Sequence, residues 1–338
     1  MINGRNRIIA TLKHKYPDRI PISLWVHPAA IRKYGEKINN LLEQNPVDIV
    51  RQFGPMDTQF YPHMQSTGEF VDFWGSTWKI LIDGMLGEVK KPALMDIKCI
   101  NNYKIPYHSL ESEWNENRKD VLNRIKAARE KRQFIVSGKV ELFQLMQIIR
   151  GAENLFYDIA EESNELFIFR DMILDYFKKY ILYWLETDVD GIYFSDDFGS
   201  QISLLISPIS WKKIFKPAYI ELFDMVKKKG KYIFFHSCGH IYELYGELIE
   251  LGVDAINSQL HCSGIEKVAQ NYAGKITFWG EIDRQQILTY GSPYDVKMAV
   301  YKLRDLFYVN GGGLIGHGVV GVDTPLENIE SLLKSWND

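Results

Sequence analysis

"KKGKYIFFHSCGHIYELYGELIELG", residues 228–252, contains one complete structural unit, and its reading decides how the rest of the chain is read. The run YIFF (232–235) is bulky and apolar without polar alternation. A strand of that kind suits a parallel sheet covered on both faces. The run IYELYGELIELG (241–252) then repeats apolar residues at three- and four-residue steps and predicts a helix. Between strand and helix, three groups able to bind a soft metal fall within five positions: His236, Cys238 and His240.

The same unit recurs in both directions. Short apolar, β-branched or aromatic runs ending in polar or glycine residues occur at 20–26, 57–62, 133–140, 191–197, 232–237, 254–259, 275–281 and 313–318. Helical patterns lie between them, for example at 211–230 and 294–311, both of which close on a glycine. Strand then helix, eight times over, predicts an α/β fold of the (β/α)8 TIM-barrel class. The first half departs from that rhythm. Residues 69–91 read as a β-hairpin insertion after the second strand, and 92–130 as a loop and a helix before the third. No low-complexity tract divides the chain, so one barrel domain over 1–338 with N-terminal decoration is expected.

Bulk composition narrows the function. The chain has 338 residues, 46% hydrophobic and 25% charged, enough for one large core. A net charge of −3 without any sizeable Lys/Arg cluster gives no field for nucleic acid or an anionic membrane. Three cysteines are too few, and odd in number, for a disulfide framework, which points to a reducing, cytoplasmic setting. The opening MINGRNRIIATLKHK lacks a signal-peptide core, and nothing nears the roughly 18 apolar residues of a membrane span. The 8 Trp and 19 Tyr supply walls for a flat ligand as well as core.

Chemistry in such a barrel sits at the C-terminal ends of its strands. The residues expected there are His27, Tyr61, Asp196 with Asp197, His236 with Cys238, Asn257, Glu281 with Asp283, and His317. An isolated His-x-Cys is more often a core cysteine beside a satisfied histidine. Its place at a strand exit, with Glu281 and His317 at the next exits, favours a zinc-type set of thiolate, imidazole and carboxylate. His240 is expected to face solvent, and Cys262 follows the sixth strand too distantly to be a strong ligand. Asp196 and Asp197 read either as a general acid or electrostatic pair, or as helix-capping loop residues. His27, Tyr61 and Asn257 are candidate substrate contacts. The glycine-rich GGGLIGHG (311–318) matches neither the P-loop nor the dinucleotide fingerprint, and its glycines read as backbone turns around His317.

Four stretches together resemble the uroporphyrinogen decarboxylase superfamily: NRIIATLKHKYPDRIPISLW (6–25), the run from DGIYFSDDFGS to FFHSCGHIYEL (190–244), FWGEIDRQQIL (278–288) and GHGVVGVDTPLENI (316–329). The resemblance implies a (β/α)8 barrel. True decarboxylases carry arginines after the first strand in a segment like R-Q-A-G-R. Here that place reads SLWVHPAAIRKYG, with only Arg32 nearby, and Lys33 does not replace an arginine fork. They also lack the His-x-Cys pair. The other branch contains zinc-dependent methyltransferases that pass methyl groups to or from the cobalt of a corrinoid protein. Its coenzyme M members hold zinc by His-x-Cys and a later cysteine, which His236, Cys238 and the position of His317 match. Its aryl-ether members use glutamate, glutamate and histidine, of which Glu281 and His317 fit the outer two, while the middle one falls at Val296 beside Asp295.

The resemblance therefore implies a zinc site drawn from His236, Cys238, Glu281 and His317. The implied reaction takes a methyl group from a small methylated substrate, by preference an aromatic methyl ether, to the Co(I) of a partner corrinoid protein. Asp196 or Asp197 would orient the substrate or relay a proton to the leaving oxygen, and the 69–91 insertion would help form the docking rim. A thiol methyltransferase, a porphyrinogen decarboxylase and a non-catalytic barrel that docks a corrinoid protein are the alternatives.

Overall fold

Seven of the eight strand-like runs become barrel strands. The computed structural model describes residues 2–52, 66–83 and 87–338. The strands are β1 (Ile22–Val26), β2 (Ile49–Arg51), β3 (Gly68–Val71), β4 (Thr77–Ile80), β5 (Glu88–Lys91), β6 (Phe134–Val140), β7 (Gly191–Ser195), β8 (Tyr232–Ser237), β9 (Ala255–Ser258), β10 (Thr277–Glu281) and β11 (Leu314–Val320). Eight of them form a parallel sheet in the order β1-β11-β10-β9-β8-β7-β6-β2, with helices between, and this is the (β/α)8 barrel. The second barrel strand is β2 rather than 57–62, a run that lies outside the described residues together with Tyr61. Three residues, IVR, are too short a run to stand out from sequence alone.

Two cores follow from the closed sheet. Inside the barrel, Ile8, Ile49, Phe134, Val136, Tyr193, Phe234, Trp279 and Ile315 pack on one another. Outside it, a much larger apolar cluster fills the space between strands and helices. The glycines of GGGLIGHG act in two ways. Gly311 and Gly313 take the left-handed turn at φ +72° and +79°. Gly316, within β11, lets the last helix (Leu326–Asn337) approach so closely that a Cβ would lie 2.5 Å from the Trp336 ring.

The insertion is a three-stranded antiparallel sheet, β3-β4-β5, one strand more than a hairpin. It is anchored on the outer helices. The Ser76 hydroxyl donates to the Ile148 carbonyl at 3.0 Å, and Trp74 meets Tyr176 edge-on with centroids 4.6 Å apart. The first contact is near the end of helix Leu142–Arg150, and the second is to helix Asn164–Leu185. Among the described residues no helix is long and apolar enough to cross a membrane.

Closure of the barrel has an unusual chemistry. β1 and β2, the ends of the sheet order, share no ladder. Asp48 joins them instead. Its amide donates to the Ile22 carbonyl and its carboxylate accepts from the Ile22 amide, both at 2.8 Å. The same buried carboxylate takes the guanidinium of Arg7 and, at 2.7 Å, that of Arg19. Arg7 is itself buried and also pairs with Asp18 at 2.6 Å.

Asp196 forms a second buried polar link. Wholly shielded from solvent, it accepts from the Gln144 amide at 2.8 Å and the Tyr219 hydroxyl at 2.5 Å, tying the end of β7 to the helices on either side. Burial pushes its carboxyl up to about 8, against those hydrogen bonds, which favour the charged form.

Two outcomes are expected. Asp48→Ala leaves the Arg7 guanidinium buried without its seam partner, and should cost about 3–5 kcal/mol in chemical denaturation. A loss below about 1 kcal/mol would show that the seam closes without this carboxylate. Asp196 gives a pH signature. Between about pH 4 and about pH 8 the folded chain holds a proton that the unfolded chain has released, so this group's contribution to stability falls as pH rises. Asp196→Asn retains an acceptor for Gln144 and should flatten that part of the melting-temperature profile. Parallel profiles for the two proteins would refute the assignment.

Candidate active site

The C-terminal strand ends surround a cavity of about 470 Å³, within the usual range for a small-molecule site. Trp25 and His27 reach it from β1, Arg51 from β2, Lys139 from β6, Tyr193 from β7, His236 from β8, Asn257 from β9, Trp279 from β10 and His317 from β11. Asp197, Cys238 and Arg284 join them from the loops that follow β7, β8 and β10.

The loop after β8 owes its shape to two glycines. Gly239 has φ +77°, and a Cβ on it would run into the Gly199 backbone; one on Gly199 would lie 2.6 Å from the His240 amide. Only glycines allow the loops after β7 and β8 to cross this closely. The crossing brings the Asp197 carboxylate to the Cys238 amide, which donates to it at 2.9 Å. His240 is not left in solvent, since its Nδ1 lies 2.9 Å from the Cys262 carbonyl and its Nε2 3.3 Å from Glu243.

Asp197, His236 and Cys238 therefore converge, with one ligand atom from each within 4.8 Å of the others. Cys238 Sγ is 3.4 Å from His236 Nε2, and Asp197 Oδ1 is 3.5 Å from that same nitrogen. Asn257 sets the tautomer. Its Nδ2 donates to the Trp279 carbonyl at 2.6 Å, so its Oδ1 faces His236 Nδ1 at 2.5 Å and accepts that proton. Nε2 is thereby aimed at Cys238 and Asp197. The Arg284 guanidinium donates to Cys238 Sγ at 3.4 Å.

Electrostatics match this geometry. Burial works against charge on Asp197, but the hydrogen bond and charge of His236 outweigh it and hold the carboxyl down to about 2. Burial likewise opposes charge on His236, and Tyr193, Cys238 and Asp197 overcome it, holding the imidazole well above its ordinary value. His317 behaves oppositely. Burial, helped by the charge of His236, pushes it down to about 3, leaving a neutral ring with Nδ1 3.2 Å from the Ser23 hydroxyl.

The residues expected from sequence are thus sorted by position. His236 and Cys238 meet; His317 lines the cavity outside the trio, packed on Trp279 at 5.2 Å. Glu281 is buried behind the lining, with Arg284 Nη1 3.5 Å from its Oε1 and neither carboxylate oxygen hydrogen-bonded among the described residues. Burial raises its pKa, opposed by Arg284. Asn257 holds His236, and His27 lines the cavity while its Nδ1 accepts from the Ala29 amide at 3.3 Å. Asp196 is not among the cavity-lining residues and is bonded to the Gln144 amide and the Tyr219 hydroxyl, while Asp197 lines the cavity and is held ionised, a form that accepts hydrogen bonds. Asp283 caps the turn after β10 through the Gln285 and Gln286 amides.

Sequence reasoning missed Trp25, Arg51, Lys139, Tyr193, Trp279 and Arg284. All but Arg284 lie on strands, where inward direction is not evident without the register, and Arg284 sat unremarked within FWGEIDRQQIL.

The donor chemistry of the trio fits zinc: one imidazole nitrogen, one thiol sulfur and one ionised carboxylate, with the histidine's second nitrogen held by an amide.

Comparison with known proteins places the chain. A methyltransferase from Methanosarcina mazei superposes with a TM-score of 0.73 at 15% identity, over 100% of this chain and 99% of that one. A D-psicose 3-epimerase gives 0.41 at 12% identity, covering 92% of this chain and 86% of its own. The GH18 chitinase ChiB of Flavobacterium johnsoniae gives 0.41 at 11%, covering 94% of each. No curated protein matches the chain. The uroporphyrinogen decarboxylase (URO-D) family model matches residues 83–338, from the insertion through all but the first two barrel strands to the last helix, and on that match the chain belongs to the URO-D family.

Proposed function

We propose that the chain is a zinc-dependent methyltransferase that takes a methyl group from a small aromatic methyl ether and delivers it to the Co(I) of a corrinoid carried by a separate protein. The observation that carries this reading is the convergence of Asp197, His236 and Cys238 at the wall of an aromatic cavity. A zinc ion held by these three would supply Lewis acidity to the oxygen that departs from the methyl group. The likeness in fold to the Methanosarcina mazei methyltransferase agrees with this choice.

The chain's own side chains prepare the reaction. Asn257 orients His236, and the Cys238 amide orients Asp197, so the three donors are set before anything binds. Arg284 offsets negative charge at Cys238. Trp25, Tyr193 and Trp279 give flat faces for an aromatic ring and exclude water from the reacting bond. The strand-end opening of the cavity is the side on which a cobalt too bulky to enter can meet the methyl carbon. A decarboxylase for a multiply acidic tetrapyrrole is less well supported, because the end of β1 and the residue just past it bring Trp25 and His27, not arginines, to the cavity.

Purified protein should hold close to one zinc per chain by elemental analysis. Cys238→Ala and His236→Ala should lose it, and Asn257→Ala should weaken it about 10–100-fold. His317→Ala discriminates between ligand sets: retention means that Asp197, His236 and Cys238 suffice, whereas loss there with retention in Cys238→Ala moves the metal to the Glu281 and His317 side. Turnover is checked by the absorbance change from Co(I) to methyl-cobalt, with a methoxylated arene as donor. Zinc-loaded protein that methylates neither a corrinoid protein nor free cobalamin from any aryl ether would sink the reading.

A further inference from the structure

Glu281 is a buried carboxylate that the proposed chemistry leaves unused. It ends β10, and among the described residues neither of its oxygens accepts a hydrogen bond. A charge in such a place needs a counter-charge. Arg284 supplies it, with Nη1 3.5 Å from Oε1. Burial works against ionisation of Glu281, and Arg284 is the strongest of the charges that favour it.

The other arm of the same guanidinium points to the trio. Its Nη2 donates to Cys238 Sγ at 3.4 Å, so Arg284 bridges the buried carboxylate and the sulfur. The turn after β10 sets this bridge. Asp283 accepts from the Gln285 and Gln286 amides, and the Thr289 hydroxyl donates to the Arg284 carbonyl at 2.7 Å. Backbone therefore fixes where the guanidinium starts, and the carboxylate at the strand end fixes how it lies.

Charges across the group balance. The Asp197 carboxylate and a Cys238 thiolate together match a divalent ion, and Glu281 matches Arg284. A hydrogen bond from a cation draws electron density from the sulfur. A thiolate that donates less leaves its metal a stronger Lewis acid.

We propose that Arg284 is a positioning residue that acts on the metal through Cys238 Sγ, and that Glu281 is its counter-ion and not a metal ligand. The inference rests on reading the trio as the metal site, and it assigns the side chains that set that site's acidity.

The test reads metal binding with no methyl donor present. The metal-free full chain and its Glu281→Gln, Arg284→Met and Glu281→Gln/Arg284→Met variants are titrated with Zn2+ against a chromophoric chelator. Parallel titrations with Co2+ follow the sulfur-to-cobalt charge-transfer band. Glu281→Gln leaves the Arg284 charge unbalanced beside the cation and should weaken Zn2+ binding about tenfold. Arg284→Met removes that repulsion together with the hydrogen bond. Zn2+ should then bind at least as tightly as in wild type, and the Co2+ band should move to longer wavelength. The double variant should return to within about threefold of wild-type affinity while keeping the shifted band. Weaker Zn2+ binding in both single variants with the band in place would show a merely structural role and overturn the proposal. A loss in Glu281→Gln that the double variant does not recover would make Glu281 a ligand and overturn it as well. Should Arg284→Met fail to fold, Arg284→Lys decides, because lysine keeps the charge without the fork. Its affinity should stay within about threefold while the band shifts, and an unmoved band refutes the proposal. A wild-type chain that binds no metal overturns both this inference and the proposed function. Metal binding in this pattern without methyl transfer refutes the function alone, and methyl transfer with an unmoved band refutes the inference alone.

Discussion

The site depends on one backbone crossing, Gly199 against Gly239, where neither chain has room for a side chain. Parallel strands fix the starting points: Ser195, His236 and Asn257 are successive partners in register across β7, β8 and β9. Register alone brings His236 beside Asn257, but Asp197 and Cys238 lie beyond the ladder and reach it only because the two loops cross. The Cys238 amide then seals the crossing by donating to Asp197. Ligand geometry is thus set by backbone, the stiffest part of the molecule, with an amide side chain making the last adjustment to His236.

Two adjacent aspartates show how position divides labour. Asp196 and Asp197 are chemically identical, yet burial raises the first while a histidine partner lowers the second. Successive residues at a strand end point to opposite faces, so one enters the helical wall and the other the mouth. The first binds β7 to its flanking helices; the second provides negative charge where a cation would sit.

Much of the barrel was legible because buried parallel strands are written as unbroken apolar runs, and seven of eight were visible in that form. The exception, Ile49–Arg51, is short and takes its place through Asp48, a residue whose importance lies in partners drawn from positions 7, 19 and 22. The site was legible in part for the same reason. His236 and Cys238 announce themselves by type and spacing, whereas Asp197 joins them through a loop crossing that no periodicity encodes. Glu281 was legible by residue type at a strand end, and in the fold it is buried beside Arg284, a partner that strand patterning does not encode. Arg51 and Tyr193 form a pair only after β2 and β7 are placed on either side of β6.

The ladderless seam at Asp48 bears on the order of assembly. Among the described residues β1 has its only ladder partner in β11, where Ile22 lies opposite Gly316 across nearly the whole chain. During synthesis the first strand therefore waits for residues 314–320 to emerge before it can join the sheet. Until then its nearest attachment is to the following strand through the Asp48 clasp, which needs only residues near the N-terminus. Such a local contact costs little loop entropy, and the distant one costs the most. The clasp can thus hold β1 in register beside β2 while the other strands are added in turn, and β11 completes the cylinder from the opposite side.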